Sequence, residues 1–307
     1  MEQFVSISAA LIDEIAVANQ LGEGIQWRIH DSTLWWTDIL ACQLFCYHHE
    51  HRTLNTWLMP EPLASFAFTR DPNIIVAAMA SGFAFYDLTN RKLDWIAQPQ
   101  LLPGESRFND GRADRQGRFW SGTMMVDPDN YQEATGRLFK LDTDLTVSTH
   151  ENNMSISNGL CWSPDSRIMY FADSLTGEML QYGFDAATGY CSNRQTFAQA
   201  IDGASPDGAV VDIEGNLWSA QWGIGQVHAY SPGGNLLVAL DIPTTQPTCV
   251  AFGGEKSNLL FVSSATDGLS SDQLSREPSA GNVFIYETNT QGIPEAVFGG
   301  SPCQARN

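Results

Sequence analysis

Short apolar segments alternate with turn residues along almost the whole chain. The segments are rich in aromatic and β-branched residues, as at residues 34–36 and 83–86, and clusters of Asp, Asn, Gly or Pro bound them. This pattern is typical of β-strands joined by tight turns. Helix signals are weak, because 26 Gly and 14 Pro interrupt the chain. The sequence therefore predicts an all-β protein.

A unit of two strands recurs six times. Each unit has a polar turn, a short apolar strand, a turn of small residues and a second strand that ends in a polar hairpin. The six units are residues 31–47, 71–87, 116–141, 165–184, 214–230 and 255–286. A spacing of about 40 to 50 residues is typical of propeller blades of about four strands. The repeat predicts a six-bladed β-propeller with four-stranded blades that forms a single domain over residues 1–307, whereas an irregular sandwich has no reason to repeat at this period.

Composition excludes several classes of partner. The chain has 16 Lys and Arg against 35 Asp and Glu, a net charge of −19, and no basic cluster. Nucleic acid and anionic membrane surfaces both require such a cluster, so we expect neither as a partner. With 43% hydrophobic and 17% charged residues, the chain can bury a large core. No obligatory protein partner is evident.

The chain start and the cysteines bear on location. Glu2, Asp13 and Glu14 lie where a signal peptide needs a basic start followed by an apolar stretch. No apolar run is long enough to span a bilayer. The six cysteines lack CxxC or zinc-type spacing. These features predict a cytoplasmic protein with reduced thiols.

Familiar nucleophile and cofactor signatures are missing from the sequence. It contains no GxSxG, SxxK, P-loop or HExxH motif. The densest histidine group is His48, His49 and His51, which follows a predicted strand at a point where a hairpin turn is due. We interpret this group as a solvated turn rather than a metal site.

Four polar segments recur at one position of the repeat. They contain Glu23, Asn109, Asn158 and Asp207, each about ten residues before the first strong strand of a unit. We expect them in blade-to-blade connections that reach the propeller axis, where two carboxylates and two amide oxygens would form a site for a divalent cation. The alternative is that Asn-Gly and Asp-Gly pairs are simply turns. That alternative explains Asn158 and Asp207, but not Glu23 and Asn109 at the same offset.

The same segments resemble those of a known family. In chain order the motifs are residues 22–24 with Trp27, residues 107–111 leading into Asp114, residues 157–160 followed by 163–165, and residues 206–208 with Asp212. They resemble the gluconolactonase, regucalcin and senescence marker protein family, over a stretch from about Gly22 to Tyr286. Among its members, bacterial sugar lactonases that act on aldonolactones are most similar.

The resemblance implies a six-bladed propeller with one catalytic divalent cation. Its ligands would be Glu23, Asn158 and Asp207, while Arg107, Asn109 and Asp127 would contact the substrate. Asp127 stands where some members have Glu, which leaves the sugar undetermined. The cation also stays open among Ca, Zn, Mn, Mg and Fe, because oxygen ligands accept several ions.

The function that follows from the resemblance is hydrolysis of a sugar lactone to its aldonic acid. The cation would act as a Lewis acid on the lactone carbonyl while water attacks, and Asp207 would orient or deprotonate that water. Two alternatives remain. One is a phosphotriesterase or aryl-ester hydrolase on the same scaffold, because a fold does not fix a substrate. The other is a calcium-binding regulatory protein without catalysis.

Overall fold

The predicted propeller is confirmed by the architecture of the chain. The computed structural model describes residues 7–102, 105–125 and 134–304. Within these ranges, 24 β-strands form six antiparallel sheets of four strands, and one short helix is present. No helix in these ranges is long and apolar enough to cross a membrane.

The first strand of the chain, β1 (Ala9–Ile15), belongs to the last blade. Blade 1 consists of β2 (Gly22–Arg28), β3 (Thr33–Asp38), β4 (Gln43–His48) and β5 (Thr53–Leu58). Blade 2 consists of β6 (Leu63–Phe68), β7 (Ile74–Met79), β8 (Gly82–Asp87) and β9 (Lys92–Ala97). Blade 3 consists of β10 (Glu105–Ala113), β11 (Phe119–Met125), β12 (Gly136–Leu141) and β13 (Val147–Met154).

The second half of the chain repeats this order. Blade 4 consists of β14 (Ser157–Trp162), β15 (Ile168–Asp173), β16 (Glu178–Asp185) and β17 (Tyr190–Gln199). Blade 5 consists of β18 (Ser205–Val211), β19 (Leu217–Trp222), β20 (Gln226–Tyr230) and β21 (Leu236–Asp241). Blade 6 consists of β22 (Pro247–Gly253), β23 (Leu259–Ser264), β24 (Val283–Thr288) and β1, with helix α1 (Ser271–Arg276) between β23 and β24.

Each predicted two-strand unit corresponds to the second and third strands of a blade. Two members of the histidine group, His49 and His51, lie in the turn between β4 and β5 as predicted, and His48 is the last residue of β4. β1 was not predicted as part of a blade. It pairs with β24, with Ala9 opposite Thr288 and Ile15 opposite Val283, so that both ends of the chain share one sheet and close the ring.

Burial falls from the axis of the propeller to its rim. The first strands of the six blades are largely buried and pack on one another around the axis, whereas fourth strands such as β5 are mostly exposed. Six clusters of buried apolar side chains each fill the space between two neighbouring blades. Between blades 1 and 2, for example, Trp35 and Leu44 pack with Phe66 and Phe68. The apolar face of one blade is therefore covered by the next.

A C-terminal segment, residues 289–304, covers one end of the axis. Its backbone is hydrogen-bonded to blades 2, 3, 5 and 6: Phe298 N donates to Phe68 O at 2.7 Å, Gly299 N to Gly117 O at 2.8 Å and Gly292 N to Ser257 O at 2.7 Å, while Gln291 O accepts from Ile213 N at 2.8 Å. At this end the Arg112 guanidinium lies 3.1 Å from the Glu295 carboxylate. Both side chains are buried. Burial lowers the pKa of Arg112, but Glu295 and other nearby acidic groups, including Asp110, together outweigh that effect, so the net shift is upward.

We expect Glu295→Ala to lower the free energy of unfolding by about 3–5 kcal/mol, because it leaves the buried Arg112 charge without its partner. Chemical denaturation measures this change. The control is Asp94→Ala, which breaks an exposed pair with Lys92 and should cost no more than about 1 kcal/mol. A loss for Glu295→Ala as small as that of the control would show that the buried pair does not stabilise the fold.

Candidate functional site

A cavity of about 310 Å³ opens at the end of the axis opposite the C-terminal segment. Its lining residues are Leu21, Glu23, Arg107, Asn109, Met124, Ile156, Asn158, Ser174, Leu175, Ser205, Asp207, Trp222 and Asp267. All the predicted site residues that the structure describes are in this set. The remaining one, Asp127, lies outside the described residues.

The predicted position of these residues in blade-to-blade connections is wrong. Glu23, Asn109, Asn158 and Asp207 lie within β2, β10, β14 and β18, the first strands of blades 1, 3, 4 and 5. The register of each strand against its neighbour shifts just at or after these residues, as in a β-bulge. Such a shift re-aims a side chain that would otherwise follow the strand alternation.

Glycines make two of these bulges possible. Gly24 and Gly159, which follow Glu23 and Asn158, have φ angles of 58° and 65°. This left-handed conformation is readily adopted only by glycine. The Asn-Gly pair that resembles a turn in the sequence is therefore a kink within a strand, and the Glu-Gly pair is another.

Two carboxyl groups meet at the base of the cavity. Glu23 and Asp207 are both 6% exposed, and their carboxyls are within hydrogen-bonding reach of each other. Each also accepts a backbone N–H, from Gly24 at 3.1 Å and from Gly208 at 3.0 Å. Burial, with the negative charge of Asp110, raises the pKa of Glu23 to about 8. Burial and the nearby Glu23 and Asp110 carboxylates raise the pKa of Asp207 well above its usual range.

Asn158 is held beside these acids in one orientation. Its Nδ2 donates to Ser174 Oγ at 2.7 Å, and Ser174 Oγ in turn donates to Pro206 O at 2.7 Å. Because the serine hydroxyl proton is used on Pro206, the serine can only accept from the Asn158 amide. The Oδ1 atom of Asn158 lies on the opposite side of the amide, where it accepts from Asn109 Nδ2 at 3.1 Å.

Arg107 and Asn109 form a second polar pair in the wall. Arg107 Nη1 donates to Asn109 Oδ1 at 2.6 Å and to Phe108 O at 2.9 Å. Asn109 Nδ2 also donates to Ser157 O at 3.0 Å. Arg107 forms no ion pair with the neighbouring Asp110 or Asp114, and Asp114 instead pairs with Arg118 at 3.0 Å.

Asp110 is a residue of this region to which the sequence assigned no role. It is 8% exposed, and its carboxylate accepts Gly111 N at 2.8 Å and Leu160 N at 3.0 Å. Burial raises the pKa of this carboxyl. Asp110 thus ties the bulge of β10 to the bulge of β14, which carry Asn109 and Asn158.

Trp222 and Asp267 also line the cavity without having been singled out in the sequence. Trp222 ends β19, and Asp267 lies in the loop after β23. Neither belongs to the polar segment that repeats in the first strands, so the repeat could not point to them. The Asp-Gly pair at 267–268 was the one available signal.

A family model described as the SMP-30/gluconolactonase/LRE-like region matches residues 21–266. The chain belongs to this family. The match begins just before Glu23 and ends just before Asp267, so it contains the first strands of all six blades.

Relatives within the SMP-30/gluconolactonase family align over almost their full length. The chain is 38% identical to L-arabinolactonase of Azospirillum brasilense, over 92% of this chain and 94% of that protein. It is 34% identical to 6-deoxy-6-sulfogluconolactonase of Pseudomonas putida, over 91% and 95% of the two chains. Among solved structures, regucalcin from Agrobacterium tumefaciens, described as a calcium-binding protein, superimposes with a TM-score of 0.88 at 28% identity, over 94% and 97% of the two chains.

The donor set at the base of the cavity fits a divalent cation. Two buried carboxyls that reach each other repel when both are ionised, and a cation between them would remove this repulsion. With Asn158 Oδ1 they provide the oxygen ligands that hard cations prefer. In the described part of the chain, no group of three or more His, Cys, Asp or Glu forms a metal site. The predicted set has only two such residues, since its third ligand is an amide.

Proposed function

We propose that this protein hydrolyses a sugar lactone to the corresponding aldonic acid in the cavity at the propeller axis. The observation that carries the proposal is the buried Glu23 and Asp207 pair beside Asn158, at the base of a cavity with polar and apolar walls. The names of relatives that align over their full length support the substrate class, since two of them are sugar lactonases.

Glu23, Asn158 and Asp207 are the proposed ligands of one divalent cation. When bound, the cation would supply positive charge that stabilises the oxyanion formed as the lactone carbonyl is attacked. Asp207 has a second oxygen that can accept a proton from the attacking water. No nucleophilic side chain is needed, because water is the attacking group.

The walls of the cavity fit a polyhydroxylated ring. Arg107 has N–H groups beyond the one used on Asn109 and Phe108, so we assign it as a donor to substrate hydroxyls. Both amide hydrogens of Asn109 are used on Ser157 O and Asn158 Oδ1, so we assign Asn109 to the substrate through its Oδ1, as an acceptor. Asp127 is proposed to accept from the sugar as well. Leu21, Met124 and Trp222 provide apolar surface for the C–H face of the ring. A volume of about 310 Å³ suits a single monosaccharide lactone.

The experiment that tests the function is a pH-stat assay of the metal-loaded protein with a panel of neutral 1,4- and 1,5-aldonolactones. Paraoxon and phenyl acetate are run beside them. Turnover of at least one aldonolactone above the uncatalysed rate, abolished in Asp207→Ala, supports the proposal. Turnover of paraoxon or phenyl acetate alone would assign a different hydrolase, and cation binding with no turnover would assign a regulatory protein.

The affinity for the cation should rise with pH. Below about pH 8 the cation-free pair of Glu23 and Asp207 holds a proton, because burial raises the pKa of both carboxyls, that of Glu23 to about 8, and the cation must displace that proton. We expect Kd to fall about tenfold per pH unit from about pH 6 to 8 and to change less above that. Isothermal titration calorimetry in buffers of different ionisation enthalpy measures both Kd and the proton released. A Kd independent of pH over this range would contradict a proton held by the pair of Glu23 and Asp207.

A further inference from the structure

The charges that line the cavity are strongly unbalanced. Among the residues that the structure describes there, Glu23, Asp207 and Asp267 are acidic and Arg107 is the basic one. Burial lowers the pKa of Arg107, while the carboxylates of Glu23, Asp267 and Asp207 act in the opposite direction. The arginine is therefore close enough to all three acids to feel their charge.

Asp267 differs from the other two acids in its position. Glu23 and Asp207 are buried at the base, where the proposed cation would neutralise them. Asp267 is exposed and lies at the mouth of the same cavity. The negative charge of Asp267 is therefore free to interact with a ligand that enters the cavity.

The loop that carries Asp267 is fixed by backbone hydrogen bonds to the segment before β2. Asp267 N donates to Gln20 O at 3.0 Å, and Thr266 N donates to both Asn19 O and Gln20 O at 3.1 Å. Leu21, which itself lines the cavity, forms a bridge with Ala265. The backbone of Asp267 is thus held beside the cavity by the fold.

We propose that Asp267 is a specificity-determining residue that selects neutral lactones and disfavours lactones carrying a carboxylate, sulfonate or phosphate. This inference rests on the proposed lactonase function. Arg107 is the group that would attract an anionic substituent, and Asp267 faces it with the opposite charge. The Asp267 carboxylate would repel an anionic substituent and offset the attraction of Arg107, whereas the hydroxyls of a neutral lactone could donate to the same carboxylate.

Two lactones of the same skeleton test the proposal. Glucono-1,4-lactone ends in a CH₂OH group, and glucaro-1,4-lactone carries a carboxylate at that carbon. Each is measured with the metal-loaded protein as a substrate and as a competitor of the neutral aldonolactone that the panel shows to be turned over fastest. The variants are Asp267→Asn and Asp267→Lys. The matched control is Asp272→Asn, which removes an exposed carboxylate on α1 that does not line the cavity.

We expect Asp267→Asn to improve kcat/KM or the inhibition constant for the glucaro-lactone by about fivefold to tenfold, with less than about twofold change for the glucono-lactone. Asp267→Lys should improve the value for the glucaro-lactone further. The control Asp272→Asn should change the values for neither lactone. Unchanged or equal effects on both lactones in the Asp267 variants would overturn the role of Asp267 while leaving the lactonase function intact. If no neutral lactone is turned over by the wild-type protein, the proposed function fails, and the inference fails with it.

Discussion

Treatment with a chelator is expected to abolish lactone hydrolysis, with a loss in kcat of about 10³-fold or more. Without the cation, Glu23 and Asp207 are two buried acids that share protons, and no positive charge remains at the base of the cavity to stabilise an oxyanion. Activity of the dialysed protein is measured first, followed by titration with Ca²⁺, Mg²⁺, Mn²⁺, Zn²⁺ and Fe²⁺ one at a time.

The control for this experiment is protein exposed to chelator already saturated with the restoring ion, which should keep full activity. The restoring ion should also raise the melting temperature, because a ligand that binds only the folded state stabilises it. Full turnover by protein shown by elemental analysis to contain no metal would refute the assignment of Glu23, Asn158 and Asp207 as ligands of a catalytic cation.

Replacement of Asp207 should be more harmful to kcat than replacement of Asn158. Asp207→Ala removes a ligand and the proposed acceptor of the water proton, and general base catalysis alone contributes about 10²–10⁴-fold. Asn158→Ala removes a neutral ligand whose place a water molecule can take, so its main effect should be on the affinity for the cation. Both variants are assayed at saturating cation, where weaker binding no longer limits the rate.

Asp207→Asn separates the two roles of this residue. It keeps an oxygen that can serve as a ligand but removes the charge and most of the basicity. A large loss of kcat in Asp207→Asn at saturating cation would identify Asp207 as the base. Losses in Asp207→Ala and Asn158→Ala of the same size would mean that Asp207 is a ligand only.

The sequence predicted the blades because their cause is local. Each two-strand unit has its own turn residues and apolar strands, so the period is visible without knowledge of distant contacts. The pairing of β1 with β24 depends instead on residues more than 250 positions apart, such as Ala9 and Thr288, and no local signal marks it. The Arg112 and Glu295 pair, whose members are 183 residues apart in sequence, was not predicted for the same reason.

The sequence grouped residues that line one cavity, but it did not predict the strand geometry that brings them there. Equal offsets in the repeat were enough to group Glu23, Asn109, Asn158 and Asp207. Their bulges were missed because an Asn-Gly pair has the same sequence in a turn and in a kinked strand. Asp110 and Asp267 had no assigned role. Asp110 accepts hydrogen bonds from backbone N–H groups and does not line the cavity, and Asp267 lies in a loop outside the repeated segments.

The joining of both chain ends in blade 6 has a consequence for synthesis of the protein on the ribosome. β1 emerges first, yet its partner β24 ends at Thr288 of 307 residues and emerges last. Throughout translation the strand has an unpaired edge, and exposed strand edges favour aggregation. β1 contains the acidic residues Asp13 and Glu14, and charged side chains on an edge strand disfavour aggregation before β24 has been made. A ribosome that stalls before β24 would release a chain in which blades 1 to 5 can form but the ring cannot close.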